Sequence, residues 1–145
     1  MIFLDTGFLY ALVNKRDENH ARVLGVMNEY RGRGLRTLAL TTNHVVEETI
    51  TLLKASGHRD PGLAHDAAVS VGRKLYAGVF GHIHHVTPDE ERAAFEYLAR
   101  HRDKEYSLTD CMSFMIMESR GITEALSVDS DFDHRFIAKP GPIRR

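Results

Sequence analysis

The stretch Ile2-Phe3-Leu4-Asp5-Thr6 decides the fold, because it joins a short apolar run to an acid and a hydroxyl. A short apolar run bounded by polar residues is typical of a buried strand. The apolar residues from Phe8 to Val13 then predict a helix directly after it. The chain therefore opens on a β-α unit, and Asp5 is predicted to lie immediately beyond the carboxyl end of the first strand.

The same order of strand and helix returns further along the chain. Thr87-Pro88-Asp89-Glu90 is the clearest helix start, with Thr87 as the N-cap, Pro88 at the first helical position and Glu90 able to close a capping box. That helix is predicted to end near Arg100. The other predicted helices are about Glu18 to Tyr30, one capped by Thr41-Thr42-Asn43, one after Gly57 and Pro61-Gly62 that runs through Tyr76 and closes at Gly78, and one from Ser107-Leu108-Thr109-Asp110 to Gly121. The other predicted strands are Leu38–Leu40, Val79–Val86 and Ala125–Val128.

Strands that alternate with helices favour an α/β fold with a central, mainly parallel sheet covered by helices on both faces, because parallel strands need long crossovers. In such sheets ligands bind beyond the carboxyl ends of the strands. Asp5 and Asp129 directly follow strands, and the second turn of the helix that bears Glu48 can reach back over the same edge. Asp110 opens a helix whose preceding segment looks helical, so the pattern does not fix its place relative to that edge.

The size and composition of the chain limit the possible classes of protein. Its 145 residues, 43% of them hydrophobic, fit one domain over residues 1–145. No apolar run approaches the roughly 18 residues that a membrane span needs, and the first residues carry no basic export signal. Cys111 has no second cysteine for a disulfide, which predicts a small buried residue in a reducing cytoplasm.

A net charge of −1 does not indicate nucleic-acid binding for the chain as a whole. Binding of that kind would depend on local groups of basic side chains. Two stretches are candidates, Arg31-Gly32-Arg33-Gly34-Leu35-Arg36 and the tail Ile143-Arg144-Arg145, although each is also typical of a solvated loop or terminus.

Each acid taken alone has a structural explanation. Asp5 and Asp129 are typical of turn residues that end a strand, and Asp110 is typical of a helix cap, stabilised by about 0.3–1 kcal/mol through the helix dipole. However, the helix after Asp110 is apolar on all sides and is predicted to be buried, so its leading carboxylate needs a partner such as a cation. Asp131 repeats the acid two residues after Asp129, as either a fifth ligand or an exposed residue, and ranks below it.

Glu47 and Glu48 compete for one position in the predicted site. At about 100° per residue, the apolar face of their helix centres on Val46, Thr49 and Leu53. Glu47 then lies almost opposite, as expected for a solvated face, and Glu48 lies at the edge of the apolar face. The pattern favours Glu48 and leaves a contribution from Glu47 open.

Acids that meet in one pocket would hold a hard cation. Crowded carboxylates raise one another's pKa unless a cation compensates, and oxygen-only ligands suit Mg²⁺ or Mn²⁺. Thr6 and Thr109 place hydroxyls beside Asp5 and Asp110, where they can orient the carboxylates. Zinc is not indicated, because Gly81-His82-Ile83-His84-His85 has no acid or thiol at ligand spacing. Those histidines are expected to face solvent or to hydrogen-bond locally.

Four segments resemble the four acidic motifs of PIN-domain ribonucleases, and most of all those of VapC-type toxins. The likeness covers essentially the whole chain in order, and Ser107-Leu108-Thr109-Asp110-Cys111 is its most specific part. Ser127 stands where the family often has Thr, a change that keeps the hydroxyl. The four segments are Phe3-Leu4-Asp5-Thr6, Thr42-Asn43-His44-Val45-Val46-Glu47-Glu48-Thr49, Tyr106-Ser107-Leu108-Thr109-Asp110-Cys111-Met112-Ser113-Phe114 and Ala125-Leu126-Ser127-Val128-Asp129-Ser130-Asp131-Phe132.

The resemblance implies a PIN-like three-layer α/β/α sandwich and hydrolysis of RNA that depends on Mg²⁺ or Mn²⁺. By resemblance, Asp5 and Asp110 are the principal metal ligands, and Glu48 and Asp129 complete a catalytic set of four. The family also implies a homodimer and a cognate antitoxin protein that blocks the acidic pocket.

Three alternative functions follow from the same residues. Asp5-Thr6-Gly7 is also the triplet of aspartic proteases, but those are all-β proteins. A catalytically silent PIN-like domain that binds RNA or protein would lack an acid, and all four are present. Another Mg²⁺-dependent phosphohydrolase would need Lys or Arg beside the acids, and the sequence offers only the basic stretch around Arg33.

Overall fold

The structure, a computed structural model, describes residues 1–56 and 60–143. Gly57, which the sequence analysis places between two helices, and the basic pair Arg144-Arg145 lie outside the described residues. The strands are β1 (Ile2–Leu4), β2 (Ala39–Thr42), β3 (His82–His84), β4 (Glu124–Ser127) and β5 (Ile137–Pro140). The helices are α1 (Thr6–Val13), α2 (His20–Gly32), α3 (Leu35–Leu38), α4 (Asn43–Ala55), α5 (Pro61–Tyr76), α6 (Pro88–Arg100), α7 (Leu108–Ser119) and α8 (Ser130–Asp133).

The strands form one sheet in the order β3-β2-β1-β4-β5, and every pair is parallel. Phe3 of β1 is in register with Leu40 of β2 on one side and with Ala125 of β4 on the other. The chain builds β2 and β3 outward on one side of β1, then crosses over and builds β4 and β5 on the other side. The connections that follow β1 and β4 therefore leave in opposite directions, which opens a crevice at their carboxyl ends. The predicted α/β fold is confirmed, with a sheet that is wholly rather than mainly parallel.

The core lies on both faces of the sheet, because the central strands are covered by helices on each side. Phe3 and Leu4 of β1 are fully buried. The ring of Phe132 stacks on Phe3 with centroids 6.2 Å apart and meets Phe114 of α7 edge-on at 4.9 Å. Cys111 is buried and free, as predicted. The segment after β4 is thus packed against both β1 and α7.

Among the helices that begin with a side-chain cap are three whose starts the sequence analysis predicted. Thr42 Oγ1 accepts a hydrogen bond from Val45 N at the start of α4. Thr87 and Glu90 form the predicted capping box of α6. Ser107 caps α7 in the same way. Each cap lies where the chain turns back from one edge of the sheet, so local sequence sets the direction of the helices.

Several predicted bounds were wrong. The strand expected over Leu38–Leu40 begins only at Ala39, because Leu38 ends α3. The strand expected over Val79–Val86 is limited to His82–His84. Gly81 precedes it at φ +129°, and a Cβ there would lie 2.5 Å from Ala39 O, so the chain reaches β2 only through a glycine. The short elements α3 and α8 and the edge strand β5 were not predicted.

None of the helices in residues 1–56 and 60–143 is long and apolar enough to cross a membrane.

Candidate active site

The acids predicted from the sequence gather at the carboxyl edge of the sheet. Asp5 directly follows β1, and its backbone N–H donates to Leu126 O of β4 at 3.1 Å. Asp129 is separated from the end of β4 by Val128 and is the N-cap of α8. Asp110 lies in the first turn of α7, and Glu48 lies in the second turn of α4. The crevice between β1 and β4 is thus bordered by carboxylates from four parts of the chain.

Asp5 is the most deeply placed of these acids, with 5% of its surface exposed. Its Oδ2 accepts a hydrogen bond from Ser127 Oγ at 2.8 Å, and the same hydroxyl oxygen accepts from Asp129 N at 3.0 Å. Burial raises the pKa of Asp5 to about 7; the negative charges of Asp110 and Asp129 add to the rise, and the Ser127 hydrogen bond opposes it. Asp5 is therefore a carboxyl group that needs a nearby cation to stay fully ionised near neutral pH.

Asp110 has both of the roles considered in the sequence analysis. It takes part in the cap of α7, and it belongs to the acidic group. Its Oδ2 accepts from Ser107 N at 2.8 Å, and its own N–H donates to Ser107 Oγ at 3.0 Å. Burial raises the pKa of Asp110 and the Ser107 hydrogen bonds lower it, while the charges of Asp129 and Glu48 raise it further. The cap occupies one oxygen of the carboxylate and leaves the other for the site.

The structure separates the two neighbouring glutamates of α4. Thr6 Oγ1, in the residue after Asp5, donates to Glu48 Oε2 at 2.7 Å. Glu47 is exposed, and its carboxylate lies 3.8 Å from the His44 ring. Glu48 therefore lies on the acidic side of the helix and Glu47 on the solvent side, as the helical period favours.

Asp131 lies closer to the centre of the acids than its rank in the sequence analysis suggests. Asp110, Asp129 and Asp131 each offer a carboxylate oxygen, and these oxygens lie within 4.8 Å of one another. Asp5 and Glu48 border this triplet without being part of it. The position of Asp131 depends on α8, whose first turn is closed by Asp131 N donating to Asp129 Oδ1 at 2.8 Å. That turn folds the second acid back beside the first.

The four predicted acids share one type of contact with the rest of the chain. Asp5, Glu48, Asp110 and Asp129 each have one oxygen held by a hydrogen bond from the chain, donated by Ser127, Thr6, Ser107 and Asp131 respectively. Oriented, oxygen-only ligands, three of which lie within 4.8 Å of one another, fit a hard divalent cation such as Mg²⁺ or Mn²⁺.

The histidines of β3 take no part in this group. His84 Nε2 lies 3.0–3.1 Å from both carboxylate oxygens of Glu90, and its Nδ1 lies 3.0 Å from the Arg120 guanidinium. The expectation of local hydrogen bonding is confirmed for His84, and His82 is exposed.

The basic stretch around Arg33, which the sequence offers as a source of cations, does not lie beside the acids. Arg33 lies 3.6 Å from Glu29 and over the ring of Tyr30, whose hydroxyl donates to Glu124 at the amino end of β4. The basic stretch is therefore at the opposite edge of the sheet.

Comparison with known proteins places the whole chain in one group. A family model described as "PIN domain" matches residues 2–135, which include all the acids named above. The protein "23S rRNA-specific endonuclease VapC20" of Mycobacterium tuberculosis, in strains CDC 1551 / Oshkosh and H37Rv, is 38% identical over 133 residues, 91% of this chain and 92% of that protein. The crystal structure of Mycobacterium tuberculosis VapC20, described as a sarcin-ricin loop cleaving toxin, superposes with a TM-score of 0.76 at 34% identity. It covers 92% of this chain and 94% of that one.

Proposed function

Because the chain belongs to the PIN-domain family, and within it to the VapC-type proteins, we propose that it is an endoribonuclease dependent on Mg²⁺ or Mn²⁺ and the toxin of a toxin-antitoxin pair. The observation that carries the proposal is the group of acids around the β1–β4 crevice, each with one oxygen oriented by the chain. Structural acids are normally paired with bases, whereas these acids face one another.

We assign the roles of the acids from the resemblance to the family. Asp5 and Asp110 would hold the ion, and Glu48 and Asp129 would complete the catalytic set. Asp131, which offers an oxygen near those of Asp110 and Asp129, would add a further ligand atom. A bound divalent ion lowers the pKa of water and stabilises negative charge on a phosphate. The protein orients these ligands, because the Thr6 hydroxyl holds the Glu48 carboxylate and the Ser127 hydroxyl holds the Asp5 carboxylate at the crevice.

The nucleophile in this proposal is water rather than a side chain. Cys111 is the residue next to Asp110 and has a nucleophilic atom, but burial raises the pKa of its thiol and the Asp110 charge raises it further. A buried thiol that stays protonated near neutral pH is a poor nucleophile.

The substrate that we propose first is the sarcin-ricin loop of 23S rRNA, since the relatives named above are described as acting there. The test uses the purified protein, Mg²⁺ or Mn²⁺, and an RNA hairpin with that loop beside one with a scrambled loop. We expect cleavage of the first hairpin that EDTA abolishes. Undiminished cleavage in EDTA would rule out the metal mechanism, absence of cleavage of any RNA would refute the nuclease, and equal cleavage of both hairpins would refute the substrate alone.

An antitoxin has a suitable docking surface away from the acids. Two adjoining cavities of about 400 and 250 Å³ share Val13 and Ala67 and form a groove between the end of α1, α2 and α5. Leu53 and Val71 contribute to its apolar floor. Four basic side chains line it, against a single acid, Asp60: Lys15, Arg16, Arg31 and Lys74. An apolar groove with a cationic border fits an amphipathic, acidic segment of the antitoxin, in addition to the part that blocks the acidic pocket.

The toxin assignment is tested by growth after induction with and without the neighbouring gene product. We expect arrest that the neighbouring product relieves, and relief that the double change Arg31→Glu and Lys74→Glu weakens while Lys54→Glu does not. Normal growth without the neighbour would refute the toxin role and leave the nuclease intact. We further infer that the protein is a cytoplasmic homodimer with one nuclease domain per chain. Light scattering of the pure protein tests the homodimer directly.

A further inference from the structure

Arg135, two residues after the end of α8, connects three helices through one side chain. Its Nη1 donates to Tyr97 OH of α6, and its Nη2 donates to Glu118 Oε1 of α7. Its guanidinium carbon lies 4.9 Å from the centre of the Phe114 ring of α7 and 5.3 Å from that of Tyr97. The side chain is only 23% exposed, so these partners enclose most of the guanidinium group.

The contacts of Arg135 on α7 lie on the side of that helix where Asp110 stands at its start. Phe114 and Glu118 follow Asp110 at successive intervals of four residues. Residues four apart lie one turn apart on nearly the same helix face. The Phe114 ring is thus about one turn beyond Asp110, and the Glu118 carboxylate is about two turns beyond it. Arg135 therefore binds the part of α7 that positions the Asp110 carboxylate.

The backbone makes Arg135 part of the same short unit as the acids of α8. From Asp129 to Phe136, a series of N–H groups donate to carbonyl oxygens three or four residues earlier, at 2.8–3.3 Å. Arg135 lies in this series four residues after Asp131. A movement of Arg135 away from α7 would therefore move Asp131 and Asp129 as well.

The acids of the two helices need such a connection because they repel one another. The triplet combines Asp110 of α7 with two acids from the start of α8, and its oxygens lie within 4.8 Å of one another. Like charges at this spacing push α8 away from α7 until an ion is bound. The buried Phe132 ring holds α8 by apolar packing, which is not directional. The planar guanidinium group of Arg135 adds two directional hydrogen bonds.

We propose that Arg135 is a positioning residue for the divalent ion, which holds the start of α8 against α7 so that the three carboxylates of the triplet can bind one ion together. The inference rests on the proposed metal-dependent nuclease function. Arg135 contacts neither the ion nor the RNA in this proposal, and it takes no part in bond breaking. Loss of its hydrogen bonds should therefore weaken ion binding and leave the rate at saturating ion nearly unchanged.

The first experiment measures the binding of Mn²⁺ alone, from the EPR signal of the free ion, to wild type, Arg135→Met and Met27→Ala. Methionine keeps an unbranched stem that can pack on the rings but removes both hydrogen bonds. Met27 is fully buried in α2, so its truncation lowers the melting temperature and removes no contact of Arg135. We expect Arg135→Met to bind Mn²⁺ about tenfold more weakly than wild type and Met27→Ala to bind it equally well.

The second experiment follows cleavage of the sarcin-ricin hairpin over a range of Mn²⁺ concentrations. For Arg135→Met, the Mn²⁺ concentration at half-maximal rate should rise about tenfold. The values of kcat at saturating Mn²⁺ and of KM for RNA should stay within about threefold of wild type. Glu118→Gln leaves Arg135 in place and removes the charge of its α7 partner, so it should raise the half-maximal Mn²⁺ concentration about threefold. That variant provides the same test if Arg135→Met does not fold.

A double change tests whether Arg135 acts through α8. In an Asp131→Asn background, Arg135→Met should weaken Mn²⁺ binding by less than about threefold, because one of the ligands that Arg135 positions is already lost. An equal effect of Arg135→Met with and without Asp131 would overturn the proposal.

Failure of this inference is separable from failure of the nuclease assignment. If Arg135→Met folds and keeps the wild-type affinity for Mn²⁺, or if Met27→Ala loses as much affinity, Arg135 does not position the ion. A wild type that binds Mn²⁺ without cleaving any RNA would refute the nuclease, while Mn²⁺ binding still decides the role of Arg135. A wild type that binds no Mn²⁺ would refute both.

Discussion

The two edges of the sheet use carboxylates in opposite ways. At the amino edge, Glu124 accepts hydrogen bonds from Lys139 Nζ and Tyr30 OH, both at 3.0 Å, and these bonds lower its pKa. At the carboxyl edge, burial and neighbouring acids raise the pKa of Asp5 and Asp110. The amino edge is neutralised within the chain, whereas at the carboxyl edge the acids of the described residues face one another, as expected for a site that takes up a cation.

The carboxyl edge is where we expect the protein to lose stability in return for its proposed function. Carboxylates that face one another in a buried crevice destabilise the metal-free fold, and the same repulsion becomes binding energy when a divalent ion arrives. A carboxylate with a lysine partner gains little from such an ion. Substitutions at the two edges should therefore have opposite signs on stability and very different effects on activity.

The largest effect is expected from Asp110→Asn. The change removes a charged ligand, so we expect RNA cleavage to fall at least about 10³-fold. The amide oxygen of Asn can still accept from Ser107 N, so the melting temperature should stay within a few degrees of wild type. Single-turnover cleavage and thermal melting measure the two quantities. A variant that keeps wild-type cleavage would remove Asp110 from the site.

Asp5→Asn should reduce cleavage to a similar extent and should also stabilise the metal-free protein. The folded pKa of Asp5 is about 7 against an ordinary value of 3.8, so the folded state holds this proton more tightly than the unfolded chain does. The stability associated with that proton is fully present below pH 3.8 and is lost as pH rises to about 7. The loss is on the order of 4 kcal/mol.

Urea denaturation without metal, at pH 5 and at pH 8, checks this sign. Wild type should be less stable at pH 8 relative to pH 5, and Asp5→Asn should lose most of that difference. A variant less stable than wild type at pH 8 would contradict a repulsive crevice.

Addition of Mg²⁺ or Mn²⁺ should raise the melting temperature more at pH 8 than at pH 5.5, because protons compete with the ion for Asp5 and Asp110. At a hundredfold excess over Kd the gain is about 2.7 kcal/mol, or several degrees for a chain of this length. Asp110→Asn is the matched control and should show little shift. An equal shift in that variant would place the ion elsewhere.

Glu48→Gln and Glu47→Gln separate the two faces of α4. Glu48 accepts from Thr6 beside Asp5, so its loss should reduce cleavage about 10- to 100-fold. Glu47 is exposed and should be replaceable with less than about twofold change. Cleavage rates of the two purified variants give the answer, and the reverse order would assign the role to Glu47.

The smallest effect is expected at the amino edge. Glu124→Gln removes a half-exposed ion pair with Lys139 and should cost about 0.5 kcal/mol of unfolding free energy, with cleavage unchanged. Since the folded pKa of Glu124 is lowered, its contribution is present above its ordinary pKa and is lost as pH falls through the folded value. Urea denaturation at pH 7 and pH 3 measures it, and a loss of cleavage in this variant would end the contrast between the edges.

The parts of the site that local sequence controls were predictable. Asp5 and Asp129 follow apolar strands, and the capping box of Ser107 and Asp110 is visible as a spacing. The helical period placed Glu48 on the correct face. In each case the position of the acid depends on the few residues around it, so the sequence pattern predicts that position.

The parts that depend on tertiary contacts were not predictable. Asp131 joins Asp110 only because a four-residue helix folds it back, and no long periodic pattern announces such a helix. Strand β5 is the short edge segment Ile137-Ala138-Lys139-Pro140, which ends on a proline, and its pairing with β4 defines it.

The shared use of Asp110 also constrains how this protein can change over generations. One oxygen of its carboxylate begins a buried helix and the other belongs to the site, so a single codon carries two selective pressures. A lineage that no longer needs the activity still needs the helix start. We therefore expect inactive descendants that persist as folded proteins to carry Asn or Gln at this position rather than Ala or Gly, so the residue found there distinguishes a retired enzyme from a decaying gene.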